Sequence, residues 1–390
     1  MTLLLSSQNV GEYLVKLGIC NQSDQHTLKI DPLPAKNFNL LVSFPDGRKL
    51  LVKQERHNQE GKTAGEFLQE WKIQEFLQQF PEQKHLSLFL PSVLNFDREH
   101  SILVFSYLDN YRDLADFYGK ENIFPTEIAS AIGTNLASIH RATFNNQDYQ
   151  KFFSENIEDK QANMLPSFIH SLERITPEIF GFVPTDGLKF FALYQRYDSL
   201  GQAIAELSNA FIPCSVTHND LKLNNILLYK DWEKDWEHSQ DHIVRLIDWE
   251  RSAWGDPAFD LGMLIASYLQ MWLGSLVISQ ALTIEESLRL ANSPLDAIQP
   301  AIAALSIAYL ENFPEILQHR PDFWLRVVQF SGLALIQQIQ AMIQYQKSFG
   351  NEGICMLQVA KSLLCRPEQS MTTVFGTAAT VLNQANFSVA

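Results

Sequence analysis

The first third of the chain alternates apolar and polar positions in a way that predicts β-strands. In residues 28–54 apolar side chains recur at every second position on both sides of "PDG", a pattern typical of a β-hairpin. Residues 90–108, "LPSVLNFDREHSILVFSYL", predict two further strands joined by the polar turn "DREH". Between them, "GEFLQEWKIQEFLQQF" places aromatic residues at helical spacing. We therefore expect a mixed unit of strands with one main helix.

After about residue 108 the pattern becomes helical. The segments "PTEIASAIGTNLASIHRATF" and "LGQAIAELSNAF" show the helical period, and residues 257–364 repeat it. The β-like interruption is residues 215–248, which contain "VTHNDLKLNNILL" and "HIVRLIDWE". The segment "DWEKDWEH" inside it is interpreted as a solvated hairpin tip. Residues 370–390 lack a clear period, so we expect a loosely held tail.

One uncharged segment, Leu261–Ile284, has the length of a membrane span. Glycine, serine and glutamine dilute its hydrophobicity, and no Lys/Arg cluster flanks it. We interpret it as buried helices and expect no membrane association.

Composition and charge limit the class of protein to which the chain can belong. With 390 residues, 46% hydrophobic and 19% charged, the chain has the composition of a soluble globular protein of two or more domains. A net charge of -14 argues against a nucleic-acid partner and is compatible with cationic substrates, although an acidic surface more often serves solubility. The four cysteines form no CxxC pair, and the N-terminus lacks the basic region of a signal peptide. We therefore expect neither a zinc site nor a disulfide framework, and a cytoplasmic location.

Three oxygen-bearing side chains lie at the ends of apolar runs in the β-like interruption. Asp220 lies two residues after His218 and five before Asn225, and Asp248 ends the run "VRLID". A carboxamide and carboxylates are ligands that Mg²⁺ accepts. Since two of the three suffice for the metal, Asp220 remains to accept a proton from a substrate hydroxyl.

The pattern His-x-Asp-x-x-x-x-Asn, then "IDWE", then "GDPAFDLG" resembles the aminoglycoside phosphotransferase and choline kinase-like family. The resemblance implies an α+β, bilobal protein-kinase-like fold. Residues 1–106 would form a small β-rich nucleotide-binding lobe with one main helix. Residues 107–390 would form a large, mostly helical lobe for catalysis and substrate binding.

The family resemblance also implies roles for residues of the loop. Asp220 would orient and deprotonate the acceptor hydroxyl, and Lys222 would reach the transferring phosphoryl group. Asn225 and Asp248 would hold Mg²⁺, with ATP as the phosphoryl donor.

In the small lobe, the resemblance implies a nucleotide site. Lys53 would contact the α- and β-phosphates, and Glu70 would orient Lys53. Ser106 and Tyr107 would lie at the connector that faces the adenine. No Gly-rich loop is present, because "LPAKNFNLL" stands in its place.

Residues near the loop have alternative interpretations. Asp220 and Asn225 are also turn-forming residue types. His218 and Asp260 are expected to support the loop through hydrogen bonds. His140 is interpreted as a packed helix histidine.

The small lobe and the strand after the loop also leave alternatives. Lys53 is also explained as an exposed edge-strand lysine, and Glu66 and Glu75 compete with Glu70. Glu250 is a candidate for a second metal or for a salt bridge.

The predicted function is ATP-dependent phosphorylation of a hydroxyl group on a small molecule. The acidic balance favours an amine-bearing acceptor such as an aminoglycoside, an amino alcohol or choline. Lys222 keeps open a kinase for Ser/Thr of a peptide in natural-product maturation. The missing Gly-rich loop keeps open a catalytically silent pseudokinase that binds nucleotide. The sequence carries no indication of the oligomeric state.

Overall fold

A computed structural model describes residues 3–58, 60–154, 184–235, 242–279 and 281–385. The chain divides into two compact units. The first unit comprises Met1–Arg112, Leu227–Trp232 and Arg245–Ser252, and the second comprises Asp113–Ile226, Glu233–Val244 and Ala253–Ala390. The predicted domain boundary after residue 106 stays a prediction.

The first unit contains a five-stranded antiparallel sheet, in the order β1-β2-β3-β5-β4. Its strands are β1 Lys29–Leu33, β2 Phe38–Ser43, β3 Lys49–Gln54, β4 Val93–Asp97 and β5 Ile102–Ser106. The predicted hairpin around "PDG" is the β2-β3 pair, and Gly47 of its turn has φ +89°. Glycine suits that position because a left-handed φ is costly for residues with a Cβ. The two strands predicted around "DREH" are β4 and β5.

Both faces of this sheet are covered by helices. On one face the apolar side chains of β2 and β3 pack against α1, Val10–Lys16, a helix that the sequence did not predict. On the other face Phe67 of α2, Glu66–Gln79, packs against Leu103 and Phe105 of β5. A 3-10 helix, Pro81–Phe89, follows α2. On the sheet face that packs against α1, the fully buried strand side chains are Leu40, Val42, Val52, Ile102 and Val104.

Two small sheets contain the strands that precede and follow the predicted loop. The strands β6 Tyr111–Asp113, β8 Ile226–Tyr229 and β9 Val244–Leu246 pair in the order β6-β8-β9. Strand β7, Ser215–Thr217, pairs antiparallel with β10, Ala253–Gly255, which the sequence did not predict. The predicted solvated hairpin tip was wrong at Trp232, because this side chain is buried and begins the short helix α8, Trp232–Asp235. Residues 236–238 of that prediction lie outside the described residues.

The rest of the second unit is mainly helical over the residues that the structure describes, as the sequence predicted. The helices are α3 Leu114–Glu121, α4 Thr126–Thr143, α5 Gln147–Ser154, α6 Thr185–Tyr194, α7 Asp198–Asn209, α9 Pro257–Gly274, α10 Ile284–Arg289, α11 Leu295–Asn312, α12 Glu315–His319, α13 Phe323–Gln346, α14 Asn351–Cys365, α15 Pro367–Phe375 and α16 Ala378–Ala385. Helix α4 packs against α11, and α9 against α13. At Gly133 of α4 a Cβ would lie 2.2 Å from the Leu305 carbonyl oxygen, so only glycine allows these two helices to approach so closely.

Helix α9 accounts for most of the uncharged segment that had the length of a membrane span. It is buried on nearly all sides. Within the described part of the chain, no helix is both long and apolar enough to cross a membrane.

The prediction of a loosely held tail was wrong for residues 370–385. Met371, Val374 and Phe375 of α15 and Leu382 of α16 are buried. Their burial against neighbouring helices, including α11 and α13, stabilises short helices that have little sequence periodicity.

Candidate active site

The polar loop of the sequence lies between β7 and β8. It runs from His218 to Asn225 and ends in a 3-10 turn, Leu223–Asn225. Asn219 has φ +61°, in the left-handed region that asparagine tolerates better than most residues with a Cβ. This bend allows the backbone N–H groups of His218 and Asn219 to reach the same carboxylate, that of Asp260.

Asp260 holds the beginning of this loop from helix α9. Its buried carboxylate accepts hydrogen bonds from the backbone N–H groups of His218 at 2.7 Å and Asn219 at 2.8 Å. A carboxylate hydrogen-bonded to two backbone donors is held firmly in a low-dielectric interior. Asp260 therefore supports the loop in the manner that the sequence predicted.

A buried chain of side chains continues from Asp260. His140 Nε2 lies 3.3 Å from Asp260 Oδ2, and His140 Nδ1 lies 3.0 Å from the Tyr309 hydroxyl. All three side chains are buried, and burial raises the pKa of Tyr309 well above its usual value, so the phenol stays protonated. Because the carboxylate can only accept, Nε2 carries the donor hydrogen, and Nδ1 accepts from the phenol. His140 is packed in a helix, as predicted, and also links Tyr309 to the loop.

Asp220 is held by three neighbours in the loop, and its backbone N–H donates to His218 Nδ1 at 3.3 Å. Lys222 Nζ lies 3.0 Å from Asp220 Oδ2. Asn225 Nδ2 donates to the Asp220 carbonyl at 2.8 Å, and lies 3.3 Å from Oδ2. The structure thus brings together the three loop residues to which the sequence assigned base, phosphoryl-contacting and metal-binding roles.

Within the first unit, Lys53 of β3 lies near two acidic side chains. Its Nζ is 2.5 Å from Asp248 Oδ1 and 3.9 Å from Glu70 Oε2. Burial works to lower the pKa of Lys53, but the carboxylates of Glu70 and Asp248 outweigh burial and raise it. The Lys53 side chain is 13% exposed, so it is not the exposed edge-strand lysine of the alternative interpretation.

Glu70 is the α2 glutamate that faces Lys53. Burial raises its pKa to about 7, although Lys53 lowers it in part. The competing residues point elsewhere, because Glu66 pairs with Lys36 and Glu75 pairs with Arg98. Among the described residues, neither carboxylate oxygen of Glu70 has a hydrogen-bond partner, so Lys53 is the cation nearest to an otherwise unbonded buried carboxylate.

The two predicted connector residues lie at the end of β5. The N–H of Ser106 donates to the Ser92 carbonyl, and the N–H of Tyr107 donates to the Lys49 carbonyl. These two amide groups are therefore engaged within the sheet and not open to an adenine base. What Ser106 and Tyr107 can offer to a nucleotide is limited to carbonyl groups and side chains.

Residues 35–291 match the model of the phosphotransferase enzyme family APH. This chain belongs to that family. Every predicted site residue lies inside the matched region. The protein is a phosphotransferase with the kinase-like fold of the family, in which a small antiparallel sheet is joined to a mostly helical remainder.

Several solved structures resemble the chain at low identity. A choline/ethanolamine kinase family protein from Mesorhizobium loti is 15% identical, with 96% of this chain and 99% of that chain covered and a TM-score of 0.46. A macrolide 2'-phosphotransferase from Brachybacterium faecium is 13% identical, with 92% and 99% covered and a TM-score of 0.48. APH(2")-IIa, in a ternary complex with streptomycin and ATP, is 14% identical, with 91% and 99% covered and a TM-score of 0.49. No curated protein matches the chain.

Asn225 and Asp248, to which the sequence assigned a metal, each carry an oxygen donor. Asn225 turns its amide nitrogen toward Asp220, so its carbonyl oxygen faces the other way. Asp248 supplies a carboxylate directly after β9, at a backbone φ of +61°. Each oxygen by itself is a donor of the type that Mg²⁺ accepts, since Mg²⁺ takes one or two protein oxygens and completes its shell with phosphate oxygens and water. In the described residues, no cluster of three or more His, Cys, Asp or Glu side chains offers another metal site.

Sequence reasoning missed Tyr309. No sequence near Tyr309 resembles a family motif, and the sequence of its helix α11 has the pattern of an ordinary buried helix. A tyrosine within a strongly apolar helix was the available signal, since a buried phenol needs a hydrogen-bond partner.

Proposed function

We propose that this phosphotransferase transfers the γ-phosphoryl group of ATP to a hydroxyl group of a small molecule, with Mg²⁺. The observation that carries the proposal is the hydrogen-bonded loop of Asp220, Lys222 and Asn225, anchored at its start by Asp260. Such a loop supplies what phosphoryl transfer requires of a protein, namely a fixed base and fixed positive charge. Family membership supports the same reaction class.

Asp220 is the proposed base. Its carboxylate orients the acceptor hydroxyl and accepts the proton as the oxygen attacks phosphorus. The Lys222 ammonium, now 3.0 Å from the Asp220 carboxylate, is close enough to the base to stabilise negative charge that develops on the transferring phosphoryl oxygens.

The nucleotide is bound by the proposed phosphate and metal ligands. Lys53 contacts the α- and β-phosphates, and Glu70 holds Lys53 in place. Asn225 and Asp248 hold Mg²⁺, which supplies charge neutralisation to the phosphate oxygens when bound. The carbonyl groups and side chains of Ser106 and Tyr107 are proposed to face the adenine.

The acceptor is proposed to be an amine-bearing small molecule. The net charge of -14 favours a cationic substrate through long-range attraction. Aminoglycosides, amino alcohols and choline share an amine and a free hydroxyl, and they are the acceptor classes to test first.

The test measures ADP release with Mg-ATP against aminoglycosides, amino alcohols, choline, sugars and Ser/Thr peptides. We expect turnover on at least one small amine-bearing acceptor. Asp220→Asn should reduce this turnover about 100- to 10,000-fold, the usual contribution of general acid–base catalysis. Asp116→Asn is the matched control, because Asp116 is an exposed helix residue paired with Lys120 and should leave the rate unchanged.

Three outcomes would contradict the proposal in different ways. Turnover only on Ser/Thr peptides would indicate the peptide kinase. ATP binding without turnover on any acceptor would indicate the pseudokinase. An Asp220→Asn variant with a near wild-type rate would refute Asp220 as the base.

A further inference from the structure

Helix α9 contacts the loop at a second point, two turns after Asp260. The Ser267 hydroxyl accepts a hydrogen bond from the backbone N–H of Leu223 at 3.2 Å. Ser267 belongs to none of the sequence motifs that indicated the family, and it is half-buried.

The spacing of Asp260 and Ser267 matches the length of the loop that they hold. Residues seven apart lie on nearly the same helix face and are separated by about 10 Å along the axis. Asp260 accepts from the first two residues of the loop, and Ser267 accepts from its sixth residue, Leu223. One face of α9 therefore fixes both the start of the loop and the turn that ends it.

The N–H of Leu223 has a particular need for an acceptor. Leu223 is the first residue of the 3-10 turn Leu223–Asn225, and the residue before it, Lys222, is extended and provides no side-chain cap. The first N–H groups of a helical turn lack partners within the turn. Because the Leu223 side chain is buried, the Ser267 hydroxyl does for this turn what an N-cap side chain does in an ordinary helix.

Two proposed functional residues depend on where this turn begins. Lys222 directly precedes Leu223, and Asn225 ends the turn with its amide nitrogen bonded to the Asp220 carbonyl. A shift of the turn would move the carbonyl oxygen of Asn225 and the ammonium of Lys222 together. Small displacements of groups that orient reacting atoms are costly to the rate.

We propose that Ser267 is a positioning residue for phosphoryl transfer, which fixes the Leu223–Asn225 turn and through it Asn225 and Lys222. This inference rests on the proposed function for its catalytic consequence. The anchoring of the turn by Ser267 can be measured without any phosphoryl acceptor.

The experiment compares Ser267→Ala with Ser267→Thr. Ser267→Ala removes the hydroxyl that accepts the hydrogen bond from Leu223, and Ser267→Thr keeps a hydroxyl that helical threonine can place in the same direction. Ser331→Ala is the matched control, because Ser331 is a buried helix serine whose hydroxyl donates to its own helix at Val327. Amide hydrogen exchange of peptides that contain Leu223 reports the anchoring. Calorimetric titration of ATP at a series of Mg²⁺ concentrations reports the metal ligand, and kcat and KM report the reaction.

In Ser267→Ala we expect faster exchange at Leu223 and a higher Mg²⁺ concentration for half-maximal ATP binding. With an acceptor that the wild type phosphorylates, kcat should fall about 10- to 100-fold, while KM for Mg-ATP at saturating Mg²⁺ stays near its wild-type value. Ser267→Thr should restore all three quantities. Ser331→Ala should change none of them.

Each alternative result decides the inference. Unchanged exchange at Leu223 in Ser267→Ala would overturn it, whatever the activity. Faster exchange with unchanged kcat would show an anchor without a catalytic consequence and would also overturn it. If the wild type phosphorylates no acceptor, the proposed function fails. In that case a raised Mg²⁺ requirement in Ser267→Ala still supports the positioning of Asn225, and an unchanged one overturns it.

Discussion

Replacement of Tyr309 by phenylalanine tests whether the buried chain from α11 to the loop matters for the reaction. The variant removes one hydroxyl group and keeps the ring, which packs among Phe313, Phe323 and Trp324. The direct loss is the hydrogen bond to His140 Nδ1 at 3.0 Å. His140 is fully buried, so water does not replace the phenol.

The expected magnitude follows from these contacts. A buried acceptor left without its donor costs about 1–3 kcal/mol, and the retained ring avoids a large cavity. Without the phenol, the His140 ring is also free to carry its hydrogen on Nδ1, which would end the donation from Nε2 to Asp260. If about 1.4 kcal/mol of this loss appears in the transition state through a displaced loop, the rate falls about tenfold.

The assay pairs urea unfolding with turnover on the best acceptor of the panel. Tyr118→Phe is the matched control, because the Tyr118 hydroxyl lies 3.1 Å from the Tyr268 hydroxyl in another fully buried pair. Both variants remove one phenol oxygen from a buried hydrogen bond. We expect both to lower the free energy of unfolding by about 1–3 kcal/mol and only Tyr309→Phe to slow turnover.

A Tyr309→Phe variant that unfolds more easily but reacts at the wild-type rate would refute the link from Tyr309 to the loop. A Tyr118→Phe variant that slows the reaction as much as Tyr309→Phe would show that general loosening of the second unit, and not the His140 chain, controls the rate.

Three further predictions concern stability. Glu70 has a folded-state pKa of about 7 against an ordinary value of 4.5, so the native state holds a proton that the unfolded state releases. The free energy of unfolding should therefore fall by about 2–3 kcal/mol between pH 4.5 and 7. Glu70→Gln should reduce this fall in urea unfolding at several pH values, and an unchanged pH dependence would contradict the assignment to Glu70. Gly133→Ala should destabilise by more than about 2 kcal/mol, because the added Cβ would meet the backbone of α11 at 2.2 Å. Gly119→Ala, in a helix with open space at that position, should instead stabilise by about 0.5–1 kcal/mol; thermal unfolding of the two variants with the same sign would refute the packing argument. Arg320→Ala should cost about 3–5 kcal/mol in denaturant unfolding, because it leaves the carboxylate of Asp256 buried without its cation, and a loss below about 1 kcal/mol would show that the pair is not needed.

The local features of the chain were predictable because they depend on short-range patterns. The alternation around "PDG" indicated a hairpin, and the aromatic spacing in residues 65–80 indicated α2. The spacing of Asp220, Asn225 and Asp248 indicated the family, because these residues lie at the ends of apolar runs that fix where a loop begins and ends. Burial periodicity is a property of neighbouring residues, so it can be read without the fold.

The long-range partners of the loop were decided by tertiary structure alone. The packing of the helices determines two hydrogen bonds. Ser267 accepts from Leu223 across 44 positions of the sequence, and Tyr309 is bonded to His140 across 169 positions. The same reason explains the tail, where contacts with other helices stabilise segments with little periodicity of their own. It also explains the end of β5, where pairing across the sheet engages the N–H groups of Ser106 and Tyr107. The sequence by itself determined which chemical groups the loop carries, and only the packing of distant helices against the loop decided how those groups are held.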